Sequence, residues 1–217
     1  MKKCLVVLLL LTSLSLVAVI ESFNFKLENV KLVLENVILK DVEFHDSEII
    51  EVSYHKDAEI KFDHTTQVLS IVAQEEDTKI KLYLPKSKKY LYENNDGICT
   101  FDNETLNFDA DDAYIIISEE SLKVNDYSDG SSVLINDEGI FVEDSNECIR
   151  ITDSGIHIES DEPVHLDGIF GNIVGSLVRS FTNVALSSIG RTPDQTFKYI
   201  VNNEDENNST NFYNIKI

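Results

Sequence analysis

The chain has 217 residues, 42% hydrophobic and 26% charged, with 18 Lys and Arg set against 39 Asp and Glu. That is enough for one domain with a core or for two small ones, and it is too apolar for disorder and too poor in Gly and Pro for a collagen-like or low-complexity chain. A net charge of −21 excludes nucleic acid and anionic membrane surfaces as partners, because either contact needs clustered Lys and Arg to neutralise phosphates.

Residues 1–22 read as a signal peptide. Met1-Lys2-Lys3 is a basic start, and Leu5 to Ile20 is an apolar run broken only by Thr12, Ser13 and Ser15. Two cleavage points are open. A cut after Ser22 puts Ile20 and Ser22 at the recognition positions, and a cut after Ala18 has the bulky Leu16 where a small residue is preferred. The expected address is the periplasm, the outer surface or the extracellular space. Retention of the segment as a membrane anchor is the minor alternative.

Residues 23–166 alternate apolar and polar positions in short runs, as in Val30, Leu32, Leu34 and again in Ile80, Leu82, Leu84. That period of two predicts strands. Spacing is irregular over 23–95 and regular over 96–166. The pairs Cys99/Phe101, Ile115/Ile117, Val133/Ile135, Ile149/Ile151 and Val164/Leu166 recur every 15 to 18 residues. A second series, Leu106/Phe108, Leu122/Val124, Ile140/Val142 and Ile156/Ile158, begins seven residues after each of the first four. A unit of about 16 residues with two strands cannot bury its apolar side alone, so stacked units are expected to coil into a parallel β-solenoid. An antiparallel meander or sandwich uses the same alternation. The seven-residue offset favours the solenoid, with the irregular half continuing the same ladder.

Leu82-Tyr83-Leu84-Pro85-Lys86, Tyr90-Leu91-Tyr92 and Asn95-Asp96-Gly97-Ile98, followed by ladders of short strands, resemble the secreted adhesin-like β-strand-repeat proteins of bacteria, domains of unknown function. The resemblance covers residues 25–165. It implies a β-solenoid surface or periplasmic protein without a described catalytic site. The chain departs from that pattern in having fewer turn glycines and a helical tail.

Residues 167–217 form that tail. From Gly168 to Gly190 the only charged residue is Arg179, while Asn172, Ser176, Arg179, Ser180, Asn183 and Ser187 recur on one helical face. An amphipathic helix is expected, capping an end or a face of the solenoid or else docking to a partner. Thr192-Pro193-Asp194-Gln195 then opens a short second helix, with Thr192 as N-cap, Pro193 at its first position and Gln195 closing a capping box. Phe197, Ile200 and Val201 are its buried stripe, and 202–210 is polar.

No phosphate loop, Cys-x-x-Cys pair or His-Glu-x-x-His helix is present, and the five His residues at 45, 55, 64, 157 and 165 lack metal-ligand spacing. Lys123 and Arg150, the only Lys or Arg between Gly97 and Leu166, fall on different sheets of the expected solenoid, which argues against a polysaccharide lyase. No catalytic site and no bound cofactor are expected. Asp102, Ser118, Asn136 and Thr152 take the first turn position of successive units and are expected to bond turn backbone. Beyond them Glu104, Glu119, Glu120, Asp137, Glu138 and Asp153 would stack about 4.8 Å apart in a parallel sheet. That edge is a solvated acidic rim or a divalent-cation site, Ca²⁺ preferred because it accepts many carboxylate oxygens in loose geometry. The sequence therefore predicts a non-catalytic structural or adhesive surface module facing a surface protein or a glycan. The alternatives are a Ca²⁺-dependent carbohydrate-binding module and a lyase-like enzyme. Cys99 and Cys148 are expected as free thiols, the first buried and the second more accessible.

Overall fold

The structure is a computed structural model, and it describes residues 19–24, 28–54, 58–74, 78–144, 147–160 and 190–202. The chain divides into two compact units, one on either side of the Ser87–Lys88 junction.

The first unit holds β1 (Val19–Asn24), β2 (Asn29–Glu35), β3 (Val37–His45), β4 (Ile49–Tyr54), β5 (Ala58–Asp63), β6 (Val68–Ala73) and β7 (Thr78–Pro85). One sheet runs in the order β1-β4-β7-β3, and β2, β6 and β5 are neighbours in a second. Alternation decides what each strand buries. Val30, Leu32 and Leu34 of β2, Leu69 and Ile71 of β6, and Ile80, Leu82 and Leu84 of β7 are buried, with polar or half-buried residues between them.

Two backbone devices set this topology. Asn36, the single residue between β2 and β3, is left-handed (φ 57°) and donates from Nδ2 to the Ala73 carbonyl at 3.3 Å; Asn tolerates that conformation better than most residues. In the β5–β6 turn, Asp63 Oδ1 accepts from the N–H groups of Thr65 (2.8 Å) and Thr66 (3.3 Å), and Gln67 closes the turn at φ 56°. The bonds from Thr66 and Thr65 hold the Asp63 carboxyl below the usual carboxylate range.

β2 pairs parallel with β6, Lys31 opposite Val68, and β3 pairs parallel with β7, Val37 opposite Thr78. β6 and β7 thus lie beside β2 and β3, one pair in each sheet. Parallel stacking, expected throughout 23–166, is found here between two pairs of strands.

The second unit is an antiparallel meander, which overturns the parallel solenoid over the described part of 96–166. Its strands are β8 (Lys89–Glu93), β9 (Gly97–Phe101), β10 (Thr105–Ala110), β11 (Ala113–Ser118), β12 (Ser121–Asp126), β13 (Ser132–Asn136), β14 (Gly139–Glu143), β15 (Glu147–Thr152) and β16 (Gly155–Ser160). Each pairs antiparallel with the next. The seven-residue offset is the signature of a two-residue hairpin. Cys99 faces Phe108 and Phe101 faces Leu106; Ile115 faces Val124 and Ile117 faces Leu122. The same mirror relation holds for 133/142 with 135/140 and for 149/158 with 151/156. An apolar pair, a two-residue turn and a second apolar pair place the second series seven positions after the first without any stacking of coils.

The result is an apolar stripe two side chains wide across one face of the meander. It is buried from Cys99 to Val124, half-buried at Ile135, Ile140, Ile151 and Ile158, and 58% exposed at Ile156 on the last strand. The expected fifth pair, Val164/Leu166, and the amphipathic segment 168–190 lie outside the described residues, apart from Gly190.

The short helix forms where predicted, as α1 (Pro193–Asn202) with Pro193 at its first position. Thr196 N–H donates to the Thr192 carbonyl at 3.0 Å, and Thr192 N–H donates to Gln195 Oε1 at 3.4 Å. The Thr192 hydroxyl turns to the Asp194 carboxylate, so one half of the capping box is closed. Phe197, Ile200 and Val201 are buried, and α1 contacts β9 and β10. There Phe197 stacks on Phe101 with ring centroids 3.9 Å apart and meets Tyr92 edge-on at 5.6 Å.

Cys99 and Cys148 are free, the first buried and the second half-buried. The two lie six strands apart, roughly 29 Å at about 4.8 Å per strand, too far for a disulfide. Burial pushes the Cys99 thiol well above the ordinary thiol range.

Candidate functional site

The hairpins β9–β10, β11–β12, β13–β14 and β15–β16 all turn at the same end of the meander, because antiparallel strands reverse at every connection. Their first turn residues act as expected. Asp102 Oδ1 accepts from the N–H groups of Glu104 (2.9 Å) and Thr105 (2.8 Å), and Ser118 Oγ accepts from Ser121 N–H at 3.0 Å. Asn136 Oδ1 accepts from Glu138 (3.1 Å) and Gly139 (3.2 Å), and Thr152 Oγ1 from Ser154 at 3.3 Å. These bonds fix the turns and leave the tip side chains in water. Glu104, Glu119, Glu120, Asp137, Glu138 and Asp153 are all exposed.

The antiparallel register corrects the spacing of the acidic edge. Equivalent tips recur every second strand, about 9.6 Å apart instead of about 4.8 Å. Among the described residues no group of three or more His, Cys, Asp or Glu is placed to hold a metal ion. The six carboxylates form a row, not a cluster. At about 9.6 Å in water the repulsion between unit charges is about 0.4 kcal/mol, so the row stands without a counterion.

A cavity of about 480 Å³ opens beside the second tip. Ile117, Leu122 and Ile135 give it apolar walls, and Ser118, Glu119, Glu120, Asn136, Arg191 and Thr192 give it polar ones. Arg191 sets its guanidinium 4.8 Å over the Tyr199 ring, a cation–π contact.

The opposite face of the meander carries a row whose members the expected solenoid divided between two sheets. Lys123 faces Leu134, Leu134 faces Phe141, Phe141 faces Arg150, and Arg150 faces His157. Lys123 and Arg150 therefore share one face of one sheet, which corrects their expected separation onto two, and about 14 Å (three strand spacings) divides them. The signal was available: all five residues follow the first or only member of an apolar pair by one position. His157 Nε2 lies 2.9 Å from Glu159 Oε1 at a well-exposed site. That bond, with the charges of His157 and Arg150, holds the Glu159 carboxyl below its ordinary range.

The remaining described histidines stand apart. His45 Nδ1 accepts from Ser47 N–H at 3.1 Å, and His64 sits edge-on to Phe62 at 4.3 Å. His55 and His165 lie outside the described residues. Compared with protein-family models, curated proteins and solved structures, the chain matches none.

Proposed function

We propose that this chain is a non-catalytic module of the secreted or cell-envelope surface, structural or adhesive in role, which meets its partner through the acidic rim of hairpin tips. The observation that carries this reading is the periodic row of exposed carboxylates at one end of the meander, on turns fixed by their own first residues. A row spaced at about 9.6 Å suits an extended cationic or hydroxyl-rich surface better than a small substrate enclosed on all sides. The resemblance to adhesin-like repeat proteins points the same way.

A second reading, carbohydrate binding, is favoured by the Phe141–Arg150–His157 row on the opposite face, where a ring and two hydrogen-bonding side chains are cross-strand neighbours. Binding the exported protein to a glycan array, with and without Ca²⁺, and to an immobilised cationic polymer separates the two. Salt-sensitive capture by the polymer, lost when Glu119, Glu120, Asp137 and Glu138 are changed to their amides, supports the acidic rim. Glycan binding lost in Phe141→Ala and kept in the amide variant supports the second reading. Failure to bind either surface would count against both.

A further inference from the structure

We propose that the leader is cut between Ala18 and Val19, so that residues 19–22 remain in the mature protein as the outer part of its first strand. The inference rests on the reading of the chain as exported.

The sequence allows a cut after Ala18 or after Ser22, and position preferences alone do not choose between them. The fold does. β1 pairs antiparallel with β4 over all six of its residues, from Val19 opposite Tyr54 to Asn24 opposite Ile49. In that register Glu21 faces Val52 and Phe23 faces Ile50. Val19, Glu21 and Phe23 therefore lie on the same side as Ile50, Val52 and Tyr54, all of which are buried.

A cut after Ser22 would leave Phe23 and Asn24 alone of this strand. β4 would then become an edge from Glu51 to Tyr54, with its outward backbone groups unpaired. A free strand edge of that kind invites pairing with other molecules. Val52 and Tyr54 would lose the neighbours that cover them. The Tyr54 hydroxyl, which donates to Glu21 Oε1 at 2.6 Å, would lose its acceptor. A cut after Ala18 removes none of these contacts and still leaves a small residue before the scissile bond. Leu16 is the single unfavourable position, and it lies in the part that is discarded.

The position of Glu21 carries a second argument. A carboxylate on the inward side of an edge strand, half-buried and bonded to a phenol from the neighbouring strand, is a specific contact of a folded protein. A discarded leader has no use for it.

The test is intact-mass measurement of the protein exported from the full-length precursor. The expected first residue is Val19. A chain starting at Phe23 would overturn the inference and leave export standing. Exported protein that keeps Met1 would overturn the inference in favour of a retained anchor, and a chain that never leaves the cytoplasm would overturn the export reading with it. A second arm does not depend on export. Chains are produced directly from Val19 and from Phe23, each behind an initiator Met, and melted side by side. The shorter chain is expected to melt about 5 °C lower or more, or to associate through the opened edge. Equal melting temperatures with both chains monomeric would overturn the inference.

Discussion

Replacing Phe197 by Ala tests how α1 is held on the meander. The ring is fully buried, 3.9 Å from the Phe101 ring centroid and 5.6 Å from that of Tyr92. A buried Phe removes about 150–250 Å² from water, and at about 25 cal/mol per Å² that is roughly 4–6 kcal/mol as an upper bound. Truncations of buried Phe to Ala cost about 3–5 kcal/mol, so about 4 kcal/mol is expected. For a chain of this size each kcal/mol lowers Tm by about 2–4 °C, which gives a fall of roughly 8–16 °C if the whole chain melts in one step. The aromatic pair adds about 0.5–1.5 kcal/mol beyond area. A double-mutant cycle with Phe101→Leu, which keeps bulk and loses the ring, should recover a coupling of that size. Urea melts of the four proteins followed by far-ultraviolet circular dichroism measure both quantities. A loss below about 1 kcal/mol, with no coupling, would mean that α1 is not anchored by this stack.

Gly139 and Gly155 follow equivalent hairpin tips, both at positive φ (143° and 129°), yet a Cβ on Gly139 would overlap the Ile151 carbonyl oxygen of the neighbouring strand and one on Gly155 meets nothing. Gly139→Ala is expected to cost about 3 kcal/mol or more and Gly155→Ala about 1–2 kcal/mol; equal losses in urea melts would contradict the register of β14 on β15. The hydrogen bond to Glu21, with burial and the Glu21 charge, pushes the Tyr54 phenol up to about 12 from the usual 10. Because the folded value is the higher one, this contribution to stability is complete below pH 10 and is lost as pH rises from 10 through 12. Following Tyr54 ring signals by NMR should show Glu21→Gln moving the titration back toward 10, and an unmoved midpoint would deny the contact. Thiol labelling of the native, non-reduced protein should modify Cys148 and leave Cys99 until the protein is denatured; modification of Cys99 at the same rate as Cys148 would show that the stripe is open.

The strands of the meander were legible because one face is apolar and period-two alternation follows directly from the pleat. The inward residues named from the sequence, Cys99, Phe101, Leu106, Phe108, Ile115 and Ile117, are the ones the structure buries. Direction was not legible from alternation, since parallel and antiparallel strands show the same period. It could be read from a relation given too little weight. In each hairpin the apolar positions are symmetric about the turn, as with 99 and 108 about Asn103-Glu104, and in two of the four the turn is followed by Gly (139 and 155). Mirror symmetry belongs to a hairpin, whereas translation belongs to a coil. Missing it compressed the acidic tips to one strand spacing, half the distance that the register gives them. The N-terminus of α1 was legible because capping is local chemistry. The first unit was least legible, because its parallel pairs join residues about 37 to 41 positions apart and no short window contains them.

That last feature bears on the order in which the chain can fold. Every pairing from β8 to β16 joins neighbours in the sequence, so each hairpin closes a short loop and can form within microseconds of its residues becoming available. The first unit must instead hold β2 and β3 unpartnered until β6 and β7 have been delivered, and pairing over such separations carries the loop-closure entropy that slows folding. Although the first unit is the first to be synthesised, it is the one whose sheets close late, and its unpaired strands are the part of the nascent chain most in need of protection from other molecules.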